Sequence, residues 1–142
     1  MRAKAHPPRD GSKPAHTTMT ICHWRYELKK LSTIRNIQIC RQNETCYYCC
    51  QPIWHRDLSD FASRHGITRK KAELLRATAE HLVARSEGGH DALHNIVAAC
   101  WFCNTRRHRA KRPLSPDAYS TKVRARLAKG RWHGFAARNE PR

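Results

Sequence analysis

The sequence predicts a small α+β fold: two strands joined by a turn, closed by a helix, pinned by four cysteines and flanked by further helices. Three observations predict it. Two Cys-x-x-Cys pairs, Cys46/Cys49 and Cys100/Cys103, lie on either side of one stretch. That stretch carries a short strand-like run on each side of Gly88-Gly89, whose freedom at positive φ suits a sharp turn. The segment after the second pair places Asn104 and His108 four residues apart, the spacing of one helix face.

Length and charge set the limits. At 142 residues the chain suggests one domain, assigned here to 21–135, with its core at 46–112. Only 39% of residues are hydrophobic and the mean hydropathy is −0.81, so the core is thin. Small domains of that kind gain from a metal or disulfides. Lys and Arg number 28 against 11 acids, a formal charge of +17. Self-repulsion at that level calls for a polyanionic partner. Nucleic acid comes first, because neutralised phosphates release counterions. An anionic membrane surface comes second, and no apolar run approaches the roughly 20 residues of a membrane span. The N-terminus lacks the apolar segment of a signal peptide, so an intracellular, cytoplasmic, reducing setting is expected. There, paired cysteines serve as metal ligands more often than as disulfides.

The elements follow in order. Residues 1–20, rich in Pro, Lys, Arg and His, predict a disordered basic arm, either touching phosphate or solvated. From Ile21 to about Arg41, Trp24, Leu28 and Leu31 recur with helical spacing, with Ile34 nearby. Asn43 suits the turn that follows. Cys46-Tyr-Tyr-Cys49 forms a knuckle, with Cys50 either an alternative ligand or a small buried residue. Between His55 and Ala77 two short helices are expected, capped by Asp57 and Thr68, with Gly66 just past the first. Ala72, Leu75 and Ala79 would share a face of the second. Strands are placed at 77–83 and 95–99, with a turn through 86–90 and a helix over 104–111 that Pro113 ends. Ser115-Pro116 opens a helix over 115–130, with Tyr119, Val123 and Leu127 inward and Gly130 as its stop. The aromatic, basic stretch 131–135 packs back on the fold or stacks on nucleic acid; packing is favoured. Residues 136–142 are a tail.

Two constellations carry chemistry. Cys46, Cys49, Cys100 and Cys103 can offer four thiolates to one structural zinc, which would tie the first knuckle to the hairpin. Glu80 and His81 supply an oxygen ligand for a hard cation and a neutral imidazole to take a proton from water. Asn104 and His108 on the following helix could complete that metal site. Asn95, where the loop re-enters a strand, can bridge loop backbone groups. Taken alone, His81 and His108 read as ordinary structural or surface histidines; the set gives them a role.

The run Cys-x-x-Cys … Glu-His-x-x-x-x-Ser-x-Gly-Gly … Asn-Ile-Val-x-x-Cys-x-x-Cys-Asn-x-x-x-His resembles the HNH endonucleases with their ββα-metal core. The resemblance covers about Cys46 to His108; 114–133 is also similar, less specifically, to small phage-type and bacterial HNH proteins. It implies His81 as general base, Asn95 as the asparagine that orders the loop and orients that base, and Glu80, Asn104 and His108 as ligands of a catalytic Mg²⁺ or Mn²⁺. It also implies DNA cleavage that leaves 5′-phosphate and 3′-hydroxyl ends. Arg106, Arg107, Arg109, Lys111 and Arg112 would then contact backbone phosphates. The chain departs from the family pattern in three places. The stretch from Cys49 to Glu80 is longer than in compact members, Glu stands where Asp or His is commoner, and Asn104 is a weaker ligand than His. Two other classes fit the charge and cysteines. One is a zinc-stabilised nucleic-acid-binding module without catalysis. The other, by analogy alone, is an accessory of a viral DNA-packaging machine with a large-terminase partner.

Overall fold

The structure is a computed structural model that describes residues 30–137. The expected basic arm at 1–20, the start of the first helix with Trp24 and Leu28, and the end of the tail lie outside the described residues. Helix α1 spans Leu31–Arg41, α2 Leu58–Arg64 and α3 Arg69–Glu73. Strand β1 spans Ala77–His81 and β2 Ile96–Cys100, with a 3₁₀ turn at Arg85–Glu87 between them. Helix α4 spans Trp101–His108 and α5 Pro116–Ala128. None of the described helices is long and apolar enough to cross a membrane.

Local chemistry explains most boundaries. Asp57 accepts from the Asp60 amide, Thr68 from Lys71 and Ser115 from Ala118, so three helices start on side-chain oxygens that replace missing backbone acceptors. Gly66 ends the turn after α2 at φ +61, where a side chain would be strained. Helix α3 stops at Glu73, short of the stripe through Ala79. Beyond it the backbone is claimed by Trp54: its amide donates to the Leu75 carbonyl, and its carbonyl accepts from Ala77 at 2.7 Å. Ala79 is therefore a strand residue. β1 ends at His81 rather than Val83 because the Val83 amide turns to the Asn95 side chain. α4 begins at Trp101, three residues earlier than the spacing predicts. The Cys100 thiol caps it, accepting from the Cys103 amide, so the second knuckle is the helix's own first turn. The helix ends at His108 instead of Lys111.

The hairpin is antiparallel, with Ala77 opposite Cys100 and His81 opposite Ile96. Every residue of β2 is buried. Its outer edge is covered by α1 and by Gln42 just past it, whose side-chain amide brackets Ala98, donating to its carbonyl and accepting from its N–H, both at 2.8 Å. Ile39, Tyr48, Leu75, Ala98 and Phe102 share one core with Tyr119, Val123 and Trp132. Helix α5 joins that core through the Tyr119 hydroxyl, which donates to the Cys103 carbonyl, and through an edge-on contact of Tyr119 with Tyr48 at 4.9 Å. The 131–135 stretch packs inward as expected, with Trp132 8% exposed.

Candidate active site

The four cysteine sulfurs lie within 4.8 Å of one another and are all buried. A tetrahedral zinc with Zn–S bonds of about 2.3 Å sets its sulfurs about 3.8 Å apart. Cys49 Sγ and Cys100 Sγ stand 3.9 Å apart, and all four described ligands are free thiols. Donors surround them: the Cys100 amide points at Cys46 Sγ at 3.3 Å and the Trp132 indole at Cys103 Sγ, also at 3.3 Å. Burial pushes the Cys100 thiol well up. Burial opposes ionisation of Cys46 too, but hydrogen bonds from the neighbouring thiols outweigh it and hold that thiol well below its ordinary range. Four buried sulfurs cannot all carry charge without a cation among them, so the donor set fits zinc. Cys50 plays neither part expected of it: it is exposed at φ +55, in the turn that follows the knuckle. His133 lies beside the cluster, 3.9 Å from Cys100 Sγ, and burial holds its ring down at about 4, hence neutral.

Glu80 and His81 sit at the end of β1 and project to opposite sides, as strand neighbours must. Glu80 faces α4 and is buried. Its Oε1 accepts from the Tyr48 hydroxyl at 2.9 Å and from the Arg107 guanidinium. Its Oε2 stands 3.0 Å from His108 Nε2. Ligand atoms about 2.1 Å from an octahedral cation stand about 3.0 Å apart on adjacent corners. Glu80 Oε2 and His108 Nε2 therefore fit two corners of one divalent ion, while Tyr48 and Arg107 occupy the other oxygen. Asn104, one turn before His108, meets β1 further back. Its Nδ2 donates to Thr78 Oγ1 at 2.9 Å and to the Ala79 carbonyl at 3.2 Å, which leaves Oδ1 as the atom it can offer.

His81 faces the loop between the strands. Its Nε2 lies 2.8 Å from Asp91 Oδ1, and Arg85 grips the same carboxylate with Nη2 at 2.9 and 2.7 Å. The hydrogen bonds from His81 and Arg85 hold the Asp91 carboxyl below its usual range. Asn95 ties the loop: its Oδ1 accepts from the Val83 amide, and its Nδ2 donates to the carbonyls of Val83 and His90. Gly89 makes room for this. A Cβ there would meet the Val83 oxygen at 1.9 Å and Asn95 Nδ2 at 2.8 Å.

Residues 63–110 match the family model for HNH endonuclease. Over that stretch the chain is similar to HNH endonucleases. No curated protein and no solved structure matches the chain. The HNH match runs from the end of α2 to just past α4, and so contains Glu80, His81, Asn95, Asn104 and His108.

The basic residues expected on DNA divide. Arg106, Arg109, Lys111 and Arg112 are exposed. Arg106 lies over the Phe102 ring at 4.3 Å and near Trp132 at 5.7 Å. Arg107 does not belong with them. It is 6% exposed and turned inward, donating to Glu80 and to the carbonyls of His81, Leu82 and Leu114. Four of its five N–H donors are spent inside the fold, and its burial turns it away from a phosphate outside. Sequence reasoning also missed Tyr48, Asp91 and Arg85. The usable signal for Asp91 was an acid four residues before Asn95 in a chain with so few acids.

Proposed function

We propose that the protein is a metal-dependent DNA endonuclease that hydrolyses phosphodiester bonds with His81 as general base. The observation that carries this is the 3.0 Å approach of His108 to Glu80 across α4 and β1, with His81 next in the chain. Glu80 and His108 would hold a divalent cation, Mg²⁺ or Mn²⁺, with Asn104 Oδ1 as the third expected ligand. Such a cation supplies Lewis-acid stabilisation of the charged transition state and of the leaving oxygen. His81 takes a proton from water; the water oxygen bonds to phosphorus in line as the bond to the 3′ oxygen breaks. The 3′ oxygen then takes a proton from solvent, so the ends left are 5′-phosphate and 3′-hydroxyl. Arg106, Arg109, Lys111 and Arg112 position the duplex through its phosphates without reading sequence. The four thiolates hold zinc for structure, away from the chemistry.

Nicking of supercoiled plasmid with and without Mg²⁺ or Mn²⁺ tests the reading. Cation-dependent nicking is expected, and His81→Ala should lower it by roughly 10²-fold or more while DNA binding persists. Unchanged nicking by His81→Ala would remove the base assignment. Binding without any nicking would leave a zinc-stabilised DNA binder.

A further inference from the structure

The His81 imidazole has a dedicated partner that the reaction as proposed does not explain. His81 Nε2 and Asp91 Oδ1 are 2.8 Å apart. Arg85 engages both oxygens of that carboxylate. A carboxylate held this way accepts and has no proton to give, so the proton between the two residues sits on His81 Nε2. Arg85 Nε lies 3.3 Å from both His81 Nε2 and Asp91 Oδ1. An Nε2 that carries hydrogen cannot also accept, so this contact belongs to the carboxylate. The ring's lone pair is then on Nδ1.

A structural role is a poor explanation for this arrangement. Arg85 is 62% exposed and Asp91 30% exposed at the side chain, and exposed ion pairs contribute about 0–1 kcal/mol. The loop is already tied by Asn95. What the Arg85–Asp91 pair does add is a fixed angle and a fixed tautomer for the imidazole at the end of β1.

We propose that Asp91, braced by Arg85, is a positioning residue that locks His81 in the Nε2–H tautomer and presents Nδ1 as the atom that takes the proton from water. This rests on His81 being the base. In the step, the water proton moves to Nδ1, the Nε2 proton stays on the ring facing Asp91, and the water oxygen is freed to attack phosphorus.

The test uses the zinc-loaded full chain labelled with ¹⁵N, in wild-type, Asp91→Ala and Asp91→Asn forms. Long-range ¹H–¹⁵N spectra report the His81 tautomer without reference to activity. Plasmid nicking gives kcat and KM. The wild type should show Nε2–H. Asp91→Ala should show mixed tautomers and lose about 10-fold in kcat, part of what a general base supplies, with KM nearly unchanged. Asp91→Asn keeps an acceptor oxygen and should recover most of both. An Nδ1–H tautomer in the wild type overturns the proposal, as does an Asp91→Ala protein with wild-type kcat. The amide signals of Val83 and Gly89 report whether the loop survives. If alanine disrupts it, Asp91→Asn decides: an ordered loop that keeps the Nε2–H tautomer yet loses kcat as fully as alanine does, or a mixed tautomer with wild-type kcat, sinks the idea. If the wild type does not nick DNA, the endonuclease reading fails while the spectra still judge the Asp91 lock.

Discussion

Replacing Arg107 by alanine should destabilise the protein and leave its affinity for DNA nearly unchanged. The guanidinium is 6% exposed at the side chain and its partner carboxylate on Glu80 is 0% exposed. Truncation strands a buried charge, and breaking such a pair from one side costs about 3–5 kcal/mol. The Tyr48 hydroxyl and His108 stay on the carboxylate at 2.9 and 3.0 Å. They offset part of the loss, which puts the expected cost near the lower end, about 3 kcal/mol. At roughly 3 °C per kcal/mol for a chain of this size, the melting temperature should fall by about 10 °C. Thermal unfolding of the zinc-loaded protein by circular dichroism measures this, with Arg109→Ala as the exposed control. Salt titration of DNA binding supplies the second readout. Arg109→Ala should lower the slope of log affinity against log salt by about one contact's worth, and Arg107→Ala should not. An Arg107→Ala protein that melts like the wild type and binds DNA more weakly would show that this side chain faces the phosphates after all.

Further expectations come from the thiolate cluster, the loop and the charge. Cys100→Ser removes one sulfur ligand while leaving a hydroxyl that can still cap α4, so zinc should be released and the fold weakened. Metal analysis beside a denaturant titration checks this, and full zinc content would count against a four-thiolate site. Gly89→Ala drives a methyl into the Val83 carbonyl and the Asn95 amide; overpacking of that kind costs about 1–3 kcal/mol, and nicking should fall with it. A variant with wild-type melting and activity would mean the loop does not need its present packing. DNA affinity should drop steeply between low and physiological salt; a flat titration would speak against phosphate contacts.

What could be read without coordinates was local or combinatorial. Asp57, Thr68 and Ser115 cap helices because a short side-chain oxygen reaches an amide two or three residues ahead, whatever surrounds it. Asn95 was legible for a related reason: an amide where a loop re-enters its strand faces the backbone of that loop, here at Val83 and His90. The cysteines were legible because tetrahedral coordination demands two knuckles, and the chain has two. The HNH pattern sat in the same stretch.

Arg106, Arg107 and Arg109 could not be told apart in that way, since each is a base in a basic helix. Which of them turns inward depends on how α4 lies across β1. That docking is set by Phe102, Cys103 and Tyr119 in the shared core, and it puts residue 107 over Glu80 while residue 106 lies on the Phe102 ring. The partnership of His81 with Asp91 has the same origin, because loop closure by Asn95 folds residue 91 back toward the strand. Side-chain chemistry within a few positions is written in the sequence. The pairing of charges across elements is decided only when the core fixes their relative orientation, and here that step turned one expected DNA contact into the counter-ion of the buried Glu80 carboxylate.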